Sequence, residues 1–205
     1  MTKEIRAFNF EVRAEQDEEH GHFLTGQPIV YNERTNLGWY DEIIDEGALA
    51  ETDLRDVRFL VNHNTDMIPL ARSRNNNANS TMQMQVVPGV GMSIRVDLDT
   101  ENNAEAKSLY SAVSRGDITG MSFMFTVDSD SWDDLESDHP TRHIRNISKV
   151  YEVSAVTFPA YEATSITARG LSDALESAKA SLESAKAEQR AIERKKQLIR
   201  ILSEV

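Results

Sequence analysis

The sequence predicts an α+β protein with a body of short strands, two internal helices and an amphipathic helix at its C-terminal end. Three observations carry this class. Apolar and polar residues alternate with period two in several runs before residue 160, most cleanly at 81–87 and 90–98. Residues 103–115 instead repeat apolar side chains at helical spacing. Residues 170–205 contain no proline and a single glycine, and their leucines and alanines also recur at helical intervals.

Taken in order, residues 5–14 (IRAFNFEVRA) alternate and read as one strand. Residues 22–31 form a second, with Gly26 marking a bulge or kink. Residues 32–38 (NERTNLG) read as a turn. Residues 41–55 mix acidic residues with apolar pairs and read as a short helix. Residues 57–62 (VRFLVN) form a buried strand that runs into His63. Pro88-Gly89 supplies the turn of a hairpin between 81–87 and 90–98. The helix at 103–115 is capped by Asn102 or Asn103, whose short polar side chain accepts from the first free backbone N–H groups. Ala106, Leu109, Tyr110 and Val113 form its apolar face, and Gly116 stands where a left-handed residue ends a helix. Residues 118–127 are strand-like, 128–138 (DSDSWDDLESD) an acidic loop, and 144–158 rich in strand residues up to Pro159.

At residue 170 the character changes, dividing the chain into a domain at 1–169 and a helical tail at 170–205. Leu171, Leu175, Ala178, Leu182, Ala185 and Ile192 recur at helical spacing. Glu176/Lys179, Glu183/Lys186 and Glu193/Lys196 are opposite charges three apart, each pair worth roughly 0.2–0.5 kcal/mol. Read as heptads, the seam is broken by Gln189 and Lys196. An amphipathic helix in need of a partner surface fits better than a long coiled coil.

Composition removes several function classes. Net charge is −12; the tail holds seven Lys/Arg and six Asp/Glu, so residues 1–169 carry 15 basic and 28 acidic side chains, net −13. Nucleic-acid affinity comes mainly from cations that displace counterions, so this field argues against a nucleic-acid partner. Cysteine is absent, which excludes disulfides, thiolate metal sites and a cysteine nucleophile. No apolar run approaches the ~20 residues a membrane helix needs. The stretch MTKEIRAFNFEVRAEQ lacks the apolar core of a signal peptide, so no membrane partner is expected.

Three residues are candidates for chemistry. His63 follows the apolar strand and precedes Asn64-Thr65-Asp66, a place where a ring is held rigidly yet can face a cleft. Ser122 lies in Gly120-Met121-Ser122-Phe123-Met124-Phe125, where a hydroxyl among large apolar neighbours wants a partner. Glu152 lies in Tyr151-Glu152-Val153-Ser154-Ala155-Val156, and a buried carboxylate there needs a cation or donors. A serine nucleophile needs a base, and the base needs an orienting group. Singly, each residue fits a plainer reading better: a strand-end histidine on a carbonyl, a core serine, an edge glutamate. The surrounding motif is not a nucleophile elbow, because position 124 is Met and not Gly.

Metal chemistry is the competitor. His20-Gly21-His22 and His139 with His143 have ligand-like spacing, but both lie in short polar segments without an ordered acidic partner. Asp128-Ser129-Asp130 opens like a calcium loop, then has Trp132 at a ligand position and Asp133 where glycine is needed. No metal and no cofactor is expected.

Taken together, the blocks say more. Val61-Asn62-His63-Asn64 is followed by Ile68-Pro69-Leu70-Ala71, then by Gly120-Met121-Ser122-Phe123. Last comes Glu152-Val153-Ser154-Ala155-Val156-Thr157-Phe158-Pro159-Ala160. The opening adds Gly26-Gln27-Pro28-Ile29-Val30-Tyr31-Asn32, Tyr40-Asp41-Glu42-Ile43-Ile44 and Gly47-Ala48-Leu49. In this order, over about residues 4–169, they resemble the HK97-type phage prohead proteases. The resemblance implies a mainly antiparallel, β-barrel-like core flanked by helices, related to herpesvirus assembly proteases. It implies a serine endopeptidase that cleaves the scaffolding portion of the major capsid protein, and itself, inside the immature capsid in the host cytoplasm. By motif match His63 is the base and Ser122 the nucleophile. The third position is Glu152, which lies inside a matched block, or His143, which lies in a polar loop. The tail is expected to dock the protease on scaffold or capsid subunits, or to join copies into a homo-oligomer. The alternative is a non-enzymatic scaffolding protein of the same build.

Overall fold

The computed structural model describes residues 2–8, 12–18, 21–157 and 168–203, with backbone alone at 8 and 168–173. Eleven strands and two helices follow one another among these residues. They are β1 (Lys3–Phe8), β2 (Val12–Asp17), β3 (Gly21–Val30), β4 (Thr35–Asn36), β5 (Asp41–Ile44), β6 (Val57–Val61) and β7 (Ala71–Ser73). Then come β8 (Met82–Val87), β9 (Gly91–Asp97), α1 (Ala104–Ser114), β10 (Gly120–Asp133), β11 (Thr141–Val156) and α2 (Ala168–Ser203). The class is α+β, as the sequence predicts.

Two sheets organise the body. In the larger the order is β1-β10-β11-β5-β4, with β6 paired to β11 and β7; in the smaller it is β2-β3-β9-β8. Pairing is antiparallel except where β11 runs parallel to β5 with its first residues and to β6 with its last. Neither strand path closes on itself among the described residues, so the body is two open sheets and no closed barrel. One buried cluster joins Leu24, Ile29, Met92 and Ile94 of the small sheet to Phe59, Phe123, Phe125 and Val153 of the large one. The same cluster takes in Ala106, Leu109 and Val113, the stripe that makes α1 amphipathic. Asn103 caps α1, its Oδ1 accepting from Glu105 N and Ala106 N at 3.0 and 3.2 Å. Gly116, at φ 75°, closes the other end.

The hairpin at β8 and β9, the strand β6 and the irregularity between Gly26 and Ile29 in β3 all stand where the sequence places them. Three segments differ. The alternation over 5–14 belongs to two strands in different sheets, since β1 pairs with β10 and β2 with β3. Residues 41–55 are no helix: Asp41–Ile44 pair in parallel with Thr141–Ile144, and turns follow through Gly47, at φ 90°. Burial decides it, because alternation sends both Glu42 and Ile44 inward, and Glu42 finds arginines there. The acidic loop is half strand, for β10 runs on to Asp133 and buries Trp132.

The tail is one helix. Ala174, Ala178 and Leu182 are buried, the last two with Tyr40 and Trp132, and Leu175 and Ala185 pack beside them. The Leu171 side chain and Pro159, where the sequence ends the last strand, lie outside the described residues. Beyond residue 190 the helix leaves the body, and Ile192, Leu198, Ile199, Ile201 and Leu202 are exposed.

Candidate active site

Three neighbouring strands bring the site together. Ser122 on β10 stands opposite Ser154 on β11, and Glu152 is two residues before Ser154 on the same face. β6 lies along the other side of β11, with Leu60 level with Ser154. At its end the backbone turns left-handed at Asn62 and His63, with φ of 52° and 56°. That conformation is uncommon for a histidine and costs of order 1 kcal/mol or more, so surrounding contacts must hold it. Asn62 N donates to Ala155 O at 2.9 Å, and the Asn62 side chain exchanges hydrogen bonds with Thr157. His63 N donates to Ser154 Oγ at 3.1 Å. The turn folds the imidazole back over the sheet.

There the ring bridges the other two candidates. His63 Nδ1 is 2.5 Å from Glu152 Oε1, and Nε2 is 2.5 Å from Ser122 Oγ. Ser154 Oγ donates to Glu152 Oε2 at 2.6 Å. Glu152 is thus held on both oxygens, which offsets the cost of burying it. With Nδ1–H given to the carboxylate, Nε2 keeps its lone pair facing the serine hydroxyl, the arrangement that lets a histidine take a proton from an alcohol. Ser122 has no exposed surface, and its hydroxyl also donates to the backbone carbonyl of Arg6 at 2.7 Å. A groove of about 560 Å³, lined by Val61, Asn62, Asn64, Met67, Leu109 and Ile118 among others, opens beside the turn.

The other histidines stand elsewhere. His143, the alternative third member, places Nδ1 at 2.8 Å from Asp45 and Nε2 at 3.3 Å from Asp133. His139 Nε2 meets Asp41 at 2.8 Å, and His22 Nδ1 meets Thr100 at 2.7 Å. His20 lies outside the described residues. Among the described residues no group of three or more His, Asp or Glu could hold a metal ion. Two participants escaped sequence reasoning: Ser154, which ties the His63 backbone to the Glu152 carboxylate, and the Arg6 carbonyl. Ser154 had a signal, since it follows Glu152 by two and so shares its face. The carbonyl had none, because strand order is not written in any one strand.

Behind β1 lies a buried ionic cluster. Arg6 and Arg142 share the carboxylates of Glu4 and Glu42, and Arg142 Nε also binds Asp130 at 2.6 Å. Burial works against both cations, yet the carboxylates beside them hold Arg6 and Arg142 above the ordinary guanidinium range. Glu4 feels the same balance: burial raises it, but Arg6 and Arg142 outweigh that and hold it below the usual carboxylate value. Ser177 and Ser181 of α2 reach into this cluster, donating to Glu4 and Asp130. Burial pushes the nearby Tyr40 hydroxyl up to about 12.

No curated protein and no solved structure matches the chain. The caudovirus prohead serine protease model matches residues 8–177, a span that takes in β2 to β11, all three residues meeting at the imidazole, and the first turns of α2. With most of its length inside that match, the chain belongs to the caudovirus prohead serine protease family.

Proposed function

We propose that this chain is the endopeptidase that matures the capsid, cleaving the scaffolding portion of the major capsid protein and then itself inside the procapsid in the host cytoplasm. The observation that carries the reading is the single imidazole lying 2.5 Å from both Ser122 Oγ and Glu152 Oε1. His63 takes the hydroxyl proton as Ser122 Oγ attacks the scissile carbonyl carbon. Glu152 fixes the Nδ1–H tautomer and stabilises the imidazolium. His63 then gives its proton to the leaving amine, and water releases the acyl group by the same exchange in reverse. The groove beside the His63 turn suits a substrate side chain. No cofactor enters the scheme.

We read the protease domain as residues 1–169 and the tail as 170–205. The tail's first turns seat it on the body, and its apolar far end serves capsid or scaffold subunits, or a second copy of the chain. The kinship to herpesvirus assembly proteases and their barrel-like core rests on the sequence resemblance alone. Ser154 we read as a positioning residue. Ser154→Ala is expected to lower kcat about 10²-fold with KM little changed, since small misplacements of a base are that costly. Ser154→Thr, which keeps the hydroxyl, recovers part of the loss; equal loss in both would make the role one of packing.

The test of the function is mass spectrometry of major capsid protein co-expressed with the wild-type chain or with Ser122→Ala. Cleaved capsid protein with the first and intact capsid protein with a folded second is the expected result. Intact capsid protein in both would favour the non-enzymatic scaffolding role, and cleavage in both would remove Ser122 as nucleophile.

A further inference from the structure

We propose that the edge of β10 at Gly120–Thr126 is the substrate-strand site of this protease, and that the chain's own β1 occupies it. The inference rests on the reading of Ser122 as nucleophile and adds where the peptide lies and what it carries.

The first observation is the register. β1 runs antiparallel to β10 with Ala7 opposite Ser122 and Arg6 opposite Phe123. Peptides commonly bind by adding a strand to a sheet edge, where the ladder supplies affinity in any sequence and alternate side chains supply selectivity. β1 is such a strand, and without it β10 becomes the edge.

The second is the carbonyl. A substrate must bring a backbone carbonyl to the serine, and Arg6 O accepts from Ser122 Oγ at 2.7 Å. The hydroxyl has one proton and two acceptors within reach, Arg6 O and His63 Nε2. When the proton goes to the carbonyl it is withheld from the base. β1 therefore places a peptide bond at the nucleophile in an unreactive pose, and it shields a serine that has no exposed surface.

The third is that β1 takes no net charge with it when it leaves. It contributes one buried anion and one buried cation, Glu4 and Arg6. Of the trio that stays, Glu42 gives up its two contacts to Arg6 but keeps Arg142 at 3.2 Å, and Arg142 also binds Asp130 at 2.6 Å. The family match begins only at residue 8, so β1 lies almost wholly outside it.

The occupant also indicates the substrate. The residue whose carbonyl faces Ser122 is an arginine, and its guanidinium donates from Nε and NH2 to the two oxygens of Glu42 at 2.5 and 2.6 Å. A peptide that replaces β1 meets the same carboxylate, so the site takes extended peptides with a basic residue on the amino side of the scissile bond.

Two full-length variants test this in opposite directions. Ile5→Pro/Ala7→Pro removes backbone donors from β1 and loosens it. Ile5→Cys/Met124→Cys joins register partners in a chain that has no other cysteine, so oxidation locks β1 in place. The proline chain is expected to bind a fluorescent peptide of residues 2–9 at least tenfold more tightly than the wild type. The same peptide with alanine for its arginine should bind at least tenfold more weakly. The oxidised lock should cleave about 100-fold more slowly than its reduced form, with rates restored by reductant. A proline chain that melts cooperatively but takes up no more peptide than the wild type overturns the proposal. So does an oxidised lock that cleaves as fast as the reduced one, and so does an alanine peptide that binds as well as the arginine one. If the proline chain does not fold, the lock decides alone. Peptide uptake gated by β1 in a protein that cleaves nothing would leave the strand site standing and remove the endopeptidase reading.

Discussion

His63→Ala is expected to lower kcat by roughly 10⁴- to 10⁶-fold, and the double variant His63→Ala/Ser122→Ala is expected to be no slower than either single one. The reason is geometric. Among the described residues Ser122 has one base in reach, at 2.5 Å, and once the imidazole is gone the partner that remains there is the Arg6 carbonyl, which accepts the hydroxyl proton without activating it. Removing the serine as well then removes nothing that was still working. Residues that act as one unit give such a floor, whereas independent contributors multiply. Glu152→Gln is expected to fall short of that floor, because Ser122 and His63 remain and only the tautomer and the imidazolium lose support. Single-turnover cleavage of capsid protein, with thermal melts to show that each variant is folded, reads the series. Losses that multiply in the double variant would mean that the two side chains act separately.

How much of this site was legible in the sequence depends on what alternation can encode. The apolar run at residues 120–125 put Ser122 among large apolar neighbours, and the strand at 151–156 put Glu152 where a carboxylate needs a partner; period two holds the further signal, not drawn from the sequence, that Ser154 shares the face of Glu152. It could not tell which strands lie side by side. His63 is 59 residues from Ser122 and 89 from Glu152, and the sheet closes both separations through the order β10-β11-β6. Only the family-like order of the blocks pointed to that closure in advance. The turn at Asn62 and His63 was partly legible, since asparagine tolerates left-handed backbone, but the histidine's own positive φ was not.

The same limit explains the misread segments. Over 5–14 the alternation is correct in both halves, yet nothing in it marks the change of sheet between β1 and β2. Over 41–55 the apolar pairs and acids fit a helix as well as a strand. The decision is made 100 residues away, where Thr141–Ile144 offers a parallel edge and Arg142 a partner for Glu42. The helix α1 needed no such distant partner to be recognised. Its cap, its apolar stripe and its terminal glycine are all local.

Arg142→Met is expected to destabilise the fold by about 3–5 kcal/mol, a large part of the roughly 5–15 kcal/mol that holds a domain together. Arg142 is 1% exposed and binds Glu4, Glu42 and Asp130 at once. Methionine fills much of the volume but leaves Glu4 and Glu42 to Arg6 alone and Asp130 to the Ser181 hydroxyl, and a buried charge without its partner is far more costly than the pair was stabilising. The loss also spreads, because the cluster ties β1 to β10, β5 and β11 and, through Ser177 and Ser181, to α2. Acid should reveal the same cluster. Glu4 is held below the ordinary carboxylate value of 4.5 in the fold, so the unfolded chain binds its proton at higher pH than the folded one. That stabilisation is complete above 4.5 and is lost as pH falls through the lowered folded value. In Arg142→Met one of the two cations that lower it is gone, so Glu4 takes up its proton at higher pH than in the wild type and the acid unfolding midpoint moves up. Melting curves of both chains between neutral and acid pH carry the test. A variant that melts within a degree or two of the wild type at neutral pH, with an unmoved acid midpoint, would show that the cluster sets strand order without contributing to stability.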